Sequence, residues 1–196
     1  LNVGGTVYNS GRLISYGGPQ AGRTYGSFSI NNLVNAGTFI FDSPNALNGT
    51  FNNVTQTGGY FQQGGTNDFH INGTLTVSGG TLGNNDAIVV GADSGKFSVG
   101  QNLNLAGGSV SNLSVLTHVG GSVLVSGGSY GIGTLNKSNG SLTNQATLAI
   151  TNFNQSNGTA ANSGNLTIGN ASLYGTLANT GTLSLSGNVT TRGNLT

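Results

Sequence analysis

Apolar and polar positions alternate along this chain in short runs, and the runs repeat. Residues 177–185 read L-A-N-T-G-T-L-S-L, with apolar side chains at 177, 183 and 185, an Asn at 179 and a Gly at 181. The same order returns in residues 7–15 (V-Y-N-S-G-R-L-I-S), 33–41 (L-V-N-A-G-T-F-I-F), 142–150 (L-T-N-Q-A-T-L-A-I) and 160–168 (A-A-N-S-G-N-L-T-I), where only Ala146 departs from Gly. Period-two alternation predicts strands with one buried face. Repetition of one strand-plus-turn unit predicts a stacked array. The expected fold is all-β, a parallel β-helix (β-solenoid) forming one domain over residues 1–196.

A second set of runs ends in glycine pairs. Phe69-x-Ile71-x-Gly73-x-Leu75-x-Val77 precedes Gly79-Gly80, Phe97-x-Val99-x-Gln101-x-Leu103-x-Leu105 precedes Gly107-Gly108, and Val123-x-Val125 precedes Gly127-Gly128. Glycine reaches positive φ without penalty, so each pair predicts a sharp corner. Equivalent apolar positions lie 28 (Leu75 to Leu103), 20 (Leu103 to Val123), 18 (Leu148 to Leu166) and 17 (Leu166 to Leu183) residues apart. At roughly 19 residues per turn the chain makes about ten rungs, stacked ~4.8 Å apart into a rod of about 45–50 Å. The recurring Asn9, Asn35, Asn144, Asn162 and Asn179 are expected to form a ladder of side-chain amides along one corner. Long intervals imply rungs with protruding loops. Residues 17–27 (G-G-P-Q-A-G-R-T-Y-G-S) break the alternation. Arg23 and Tyr25 in that stretch are the candidate binding residues, because function concentrates in loops carried by a rigid scaffold; a bare surface insertion is the plainer reading. Residues 42–45 read as a turn. An antiparallel sandwich fits less well, since hairpins favour two-residue connections between similar strands.

Composition narrows the field. The chain has 36 Gly, no Cys, Met or Trp, and 5% charged residues, against about 25% in an ordinary domain. Glycine does not fall at every third position, which excludes collagen. The regular apolar pattern and a net charge of +1 argue against disorder. Five scattered basic residues (Arg12, Arg23, Lys96, Lys137, Arg192) offer no nucleic-acid surface. No apolar run of about 18 residues spans a membrane as a helix. The start at Leu1, without an initiator Met or signal pattern, leads us to expect a fragment of a longer secreted protein. If it is excised, open strand edges at its ends predict end-to-end association.

Little is available for catalysis. The acids are Asp42, Asp68, Asp86 and Asp93, without a single Glu, and the histidines are His70 and His118. Glycoside hydrolysis needs paired carboxylates, and these four Asp residues lie in or near Gly/Asn turns. His70 alternates with apolar Phe69 and Ile71 and is expected on the surface, and His118 likewise. Residues 79–86 (G-G-T-L-G-N-N-D) miss the spacing of a calcium-binding nonapeptide, so neither metal nor cofactor is expected. Phe39, Phe69 and Phe97 fall at inward positions. Twelve N-x-[ST] triplets occur, about half of them expected by chance from the abundance of Asn, Ser and Thr, and they are a minor glycosylation hypothesis.

The units L-A-N-T-G-T-L-S-L, A-N-S-G-N-L-T-I and I-N-G-T-L-T-V-S-G-G resemble the repeats of filamentous-haemagglutinin-like exoproteins of bacterial two-partner secretion, and autotransporter passengers are similar. The resemblance covers most of the chain except residues 17–27 and 84–96. It implies a right-handed coil, export through an outer-membrane transporter, and location at the bacterial surface or in the medium. It also implies a non-catalytic adhesin module, a shaft or binding segment that attaches to a host or bacterial surface glycan or protein receptor. No Asn-Pro-Asn-Gly secretion motif is present, which places the segment downstream of a secretion domain, and no catalytic residue carries over. Two other classes are weighed against it. A β-helical carbohydrate-active enzyme would need an acidic cleft. An ice- or glycan-binding solenoid would need Thr-x-Thr on rung after rung, whereas Thr74-x-Thr76 and Thr180-x-Thr182 do not recur.

Overall fold

A computed structural model describes residues 2–16, 28–42, 49–64, 68–84, 96–118 and 121–196. The 17–27 stretch with Arg23 and Tyr25, most of the 42–45 turn, Asp86 and Asp93 lie outside the described residues. Within them the chain is all-β, with 21 strands and no helix. The strands pair in parallel throughout. The result is a parallel β-solenoid of at least six turns.

One rung runs from residue 134 to residue 150. Residues 134–137 lie on a first face, residues 141–144 on a second and residues 147–150 on a third. Each pairs with the segment one turn on, Leu135 with Phe153, Leu142 with Ala160 and Leu148 with Leu166. The strands Ser129–Lys137, Thr147–Gln155 and Asn165–Leu173 bend from the third face of one rung into the first face of the next; the ladder skips the residue at the bend, 133, 151 or 169. A first-face ladder can be followed from Asn2 through Ser29, Thr50, His70, Ser98, Thr117, Asn136, Asn154 and Ser172 to Thr190.

Alternation turns one side chain in two towards the axis. The inward second-face column is Leu33, Val54, Leu75, Leu103, Val123, Leu142, Ala160 and Leu177, all buried. Near the start the core is aromatic. Phe39 lies parallel to Phe61 with ring centroids 4.9 Å apart, and Phe51 meets both edge-on at 6.0 and 6.1 Å. Phe39 is buried as expected. Phe69 and Phe97 pair in register in the column that continues through the buried Leu116 and Leu135.

The corner between the second and third faces takes two forms, and the residue before it sets which. Asn9, Asn35, Asn144, Asn162 and Asn179 precede two-residue corners such as Ser163-Gly164. Val77, Leu105 and Val125 precede three-residue corners ending in Gly-Gly, with Gly80, Gly108 and Gly128 at φ of 72°, 73° and 83°. All eight belong to one column, in the order Asn9, Asn35, Gln56, Val77, Leu105, Val125, Asn144, Asn162, Asn179, with Gln56 the ninth member. The short corner leaves a carbonyl within reach of the preceding side chain, and the Asn amide donates to it: Asn35 Nδ2 to Gly37 O at 3.1 Å, Asn162 Nδ2 to Gly164 O at 3.2 Å. An aliphatic residue has no such donor, and its corner is the longer glycine one; Gln56 also precedes a three-residue corner, Thr57-Gly58-Gly59, with its longer amide donating to Gly58 O at 2.6 Å.

The amide ladder is present in two blocks. Asn9 donates to Asn35 Oδ1 at 2.7 Å and Asn35 to Gln56 Oε1 at 2.7 Å. Asn144 donates to Asn162 Oδ1 at 2.6 Å and Asn162 to Asn179 Oδ1 at 2.6 Å. Both blocks run donor to acceptor in the same direction. Asn162 Nδ2 also reaches Thr182 O at 2.9 Å. An amide is donor and acceptor together, so like residues one rung apart satisfy each other in a dry core. Replacing buried Asn162 with Ala removes the acceptor of one Asn144 amide bond, the donor to Asn179 Oδ1 and a donor to the Gly164 and Thr182 carbonyls, and should lower stability by about 2–3 kcal/mol. The exposed Thr167→Ala should change it by less than about 0.5 kcal/mol. Urea denaturation of the two variants checks the pair; equal losses would remove the ladder from the energetics.

Candidate functional surface

The outward columns are small, polar and uncharged over the last rungs. On the first face Thr134, Asn152 and Asn170 form one column, and Asn136, Asn154 and Ser172 a second. Their amides bond along the axis, Asn170 to Asn152 Oδ1 at 3.0 Å and Asn154 to Asn136 Oδ1 at 2.9 Å. The third face carries Thr147, Asn165 and Thr182 beside Ala149, Thr167 and Ser184. The second carries Ser141, Thr159 and Thr176. His70 is exposed in the first-face column, between Thr50 and Ser98 in register, which agrees with its alternation. Asp68 and Lys96 are neighbours in register on the same face.

Lys137 is a buried lysine in an interior whose other buried polar side chains, among the described residues, are amides. Its register partners are His118 and Gln155, within a column that also holds the buried Ile71, Val99 and Leu173. Lys137 is 1% exposed. Its ammonium donates to Asn139 O at 3.0 Å and Gly140 O at 2.6 Å, the carbonyls of its own corner. Burial without an opposing charge lowers its pKa from the ordinary 10.5. One rung on, Gln155 Nε2 donates to Gly158 O at 2.9 Å, while Gln155 Oε1 is buried without a hydrogen bond. The pattern is that of the amide ladder with a lysine in a donor's place. The signal was available in the matching strings L-N-K-S-N-G (135–140) and F-N-Q-S-N-G (153–158), where Lys stands at a corner-capping position.

The edge between the first and second faces also changes character. At residues 138–140 and 156–158 the corner is Ser-Asn-Gly; at 174–175 it is Tyr-Gly and at 192–193 Arg-Gly. Backbone bonds from Ser156 N to Lys137 O, Tyr174 N to Gln155 O and Arg192 N to Leu173 O stack these corners one above another. Tyr174 is 49% exposed, and the Arg192 guanidinium stands 5.3 Å from its ring centroid. Beside them Asn157 donates to Asn139 Oδ1 at 3.5 Å.

Among the described residues no three His, Cys, Asp or Glu side chains gather as a metal site, and no helix is long and apolar enough to cross a membrane. The chain matches no protein-family model, no curated protein and no solved structure.

Two buried groups set an alkaline stability profile. The folded chain releases the Lys137 proton at lower pH than the unfolded chain, so stability rises with pH between that lowered value and 10.5. Tyr130 acts oppositely. Burial raises its pKa above 10.0, against the weaker opposing effect of its 2.8 Å bond to Gly107 O, so stability falls as pH climbs through 10.0 and beyond. Lys137→Gln removes the buried charge and supplies a donor to Gln155 Oε1. It should gain about 1 kcal/mol at pH 7 and lose the rise below 10.5, read from urea midpoints between pH 7 and 10.5. A variant less stable at pH 7, or one that keeps the rise, would contradict this.

Proposed function

We propose that the chain is a non-catalytic adhesin module, a rigid solenoid that carries a bacterial surface or secreted protein's contact surface to a glycan or protein receptor on a host cell, a sibling cell or matrix. The supporting observation is the pairing of a register-locked apolar interior with outward columns of Ser, Thr and Asn. A parallel stack of this kind transmits position along its axis, and its outward amides and hydroxyls offer many weak, uncharged hydrogen bonds. The finer architecture belongs to the same reading: a right-handed coil of about ten rungs, supported by the repeat resemblance and the spacing of equivalent apolar positions. So does export through an outer-membrane transporter in the manner of filamentous-haemagglutinin-like proteins, which the repeat resemblance supports. Arg23 and Tyr25 remain candidate receptor contacts on sequence grounds.

The reading is tested with the purified chain on immobilised host cells, sibling bacteria and matrix. Saturable adhesion, reduced at least about tenfold when either Arg23 and Tyr25 or the outward Asn152 and Asn170 are changed to Ala, is the expected result. Thermal unfolding should be unchanged in the Arg23/Tyr25 variant. Absence of saturable adhesion to all three surfaces would overturn the proposal.

A further inference from the structure

The edge that carries Tyr174 and Arg192 has a charge balance unlike the rest of the chain. After Asp93 there is no carboxylate side chain, yet Lys96, Lys137 and Arg192 all follow it. Lys137 is buried and held by carbonyls. Arg192 is exposed, and its guanidinium rests on the Tyr174 ring alone among the described residues. Among the described residues, the acid in register along its part of the first face is Asp68, at least five rung pairings away through Lys96, Val115, Thr134, Asn152 and Asn170, or more than ~24 Å at ~4.8 Å per rung.

An arginine whose guanidinium stands over an aromatic ring, with no other bond among the described residues, keeps its donors free for a carboxylate. The ring beneath it restricts the guanidinium's freedom, so less is lost on binding. The Asn157 and Asn139 amides lie on the same edge, two and three rungs before Arg192, and suit a ligand with hydroxyls as well as a charge. Their Ser-Asn-Gly corners are one residue longer than the Tyr-Gly and Arg-Gly corners that follow.

We infer that the edge formed by Asn139, Asn157, Tyr174 and Arg192 binds a carboxylate-bearing saccharide, with Arg192 on the carboxylate, Tyr174 fixing that guanidinium and presenting apolar surface to the sugar ring, and the amides on its hydroxyls. This rests on the adhesin reading for its biological meaning, though not for its chemistry. It names the receptor class as an acidic glycan and places its contact on this edge.

The test is calorimetric titration of the 196-residue chain with trigalacturonate and sialyllactose, with the carboxyl-reduced form of each, and with triglutamate. Binding of at least one acidic sugar is expected, weakened about tenfold or more by carboxyl reduction and by Arg192→Gln. Tyr174→Ala should weaken it comparably, and Tyr174→Phe should restore it, because the ring and not the hydroxyl carries the stacking. Both replaced side chains are exposed, so unfolding midpoints should stay put. Failure to bind either acidic sugar, equal affinity for a reduced sugar, or unchanged affinity in Arg192→Gln would overturn the site; tighter binding of triglutamate would make the ligand an acidic peptide instead. Surface adhesion measured on the same variants separates the two proposals. Wild-type adhesion that survives Arg192→Gln leaves the adhesin reading standing and removes this edge. Sugar binding without adhesion of the wild-type chain keeps the edge and removes the adhesin reading.

Discussion

Parallel pairing in register, rung upon rung, is the constraint from which the rest of this molecule follows. Each strand segment satisfies its backbone by bonding to the turns before and after it, so every side chain stands directly on the residue one turn earlier. Like then falls on like. Leu33, Val54 and Leu75 build one apolar column, Phe39 and Phe61 stack face to face, and Asn144, Asn162 and Asn179 share their amides. A slip of one residue would turn Leu142 outward and Thr143 inward and would break the amide column at the same stroke. Apolar burial sets how much the stack is stabilised; the amides make one register preferable to its neighbours.

That constraint explains why corners vary while faces do not. A face must keep its alternation, whereas a corner has only to turn the chain and account for its carbonyls. The molecule does this by an Asn that bonds its own two-residue corner, by Gln56 reaching Gly58 O, by positive-φ glycine after Val77, Leu105 and Val125, and by Lys137. At Gly158, with φ of 87°, a β-carbon would also collide with the Gly140 carbonyl, so glycine is required there twice over. The edges are thus the place where side chains can change without disturbing the core, and the change from Ser-Asn-Gly to Tyr174-Gly175 and Arg192-Gly193 occurs there.

Much of this was legible in the sequence. Strict alternation around Asn-x-Gly predicted parallel strands and inward Leu and Ile, and the recurrence of Asn at one position predicted the ladder, which the structure extends to Gln56. The link between an aliphatic residue and a longer glycine corner was written there too, but it emerges only once Val77 and Asn35 are known to share a column. Lys137 was harder to read. A lysine in a polar string looks solvated, and its burial depends on the rung register that aligns it with Gln155 and Val99. The Tyr174–Arg192 contact joins residues a full turn apart, and no local pattern announces it. Arg23 and Tyr25, picked out because they interrupt the repeat, lie outside the described residues.

The proposed display role depends on the rungs holding their register, since the uncharged outward columns of the last rungs and the Tyr174–Arg192 edge are all placed by it. Register is also the claim most directly open to measurement, because the chain contains no cysteine. Ala149, Thr167 and Ser184 are exposed and occupy one third-face column, one rung apart each. Cysteines at 149 and 167 would sit at the ~4.8 Å Cα separation that a disulfide accepts, whereas cysteines at 149 and 184 would be about 9.6 Å apart and beyond its reach. Mild oxidation of the two double variants, followed by mass spectrometry, decides it. Rapid crosslinking of Ala149→Cys/Thr167→Cys, with Ala149→Cys/Ser184→Cys remaining reduced until the chain is unfolded, is the predicted result. Equal rates in the two, or crosslinking confined to the 149/184 pair, would contradict the parallel stack on which the account depends.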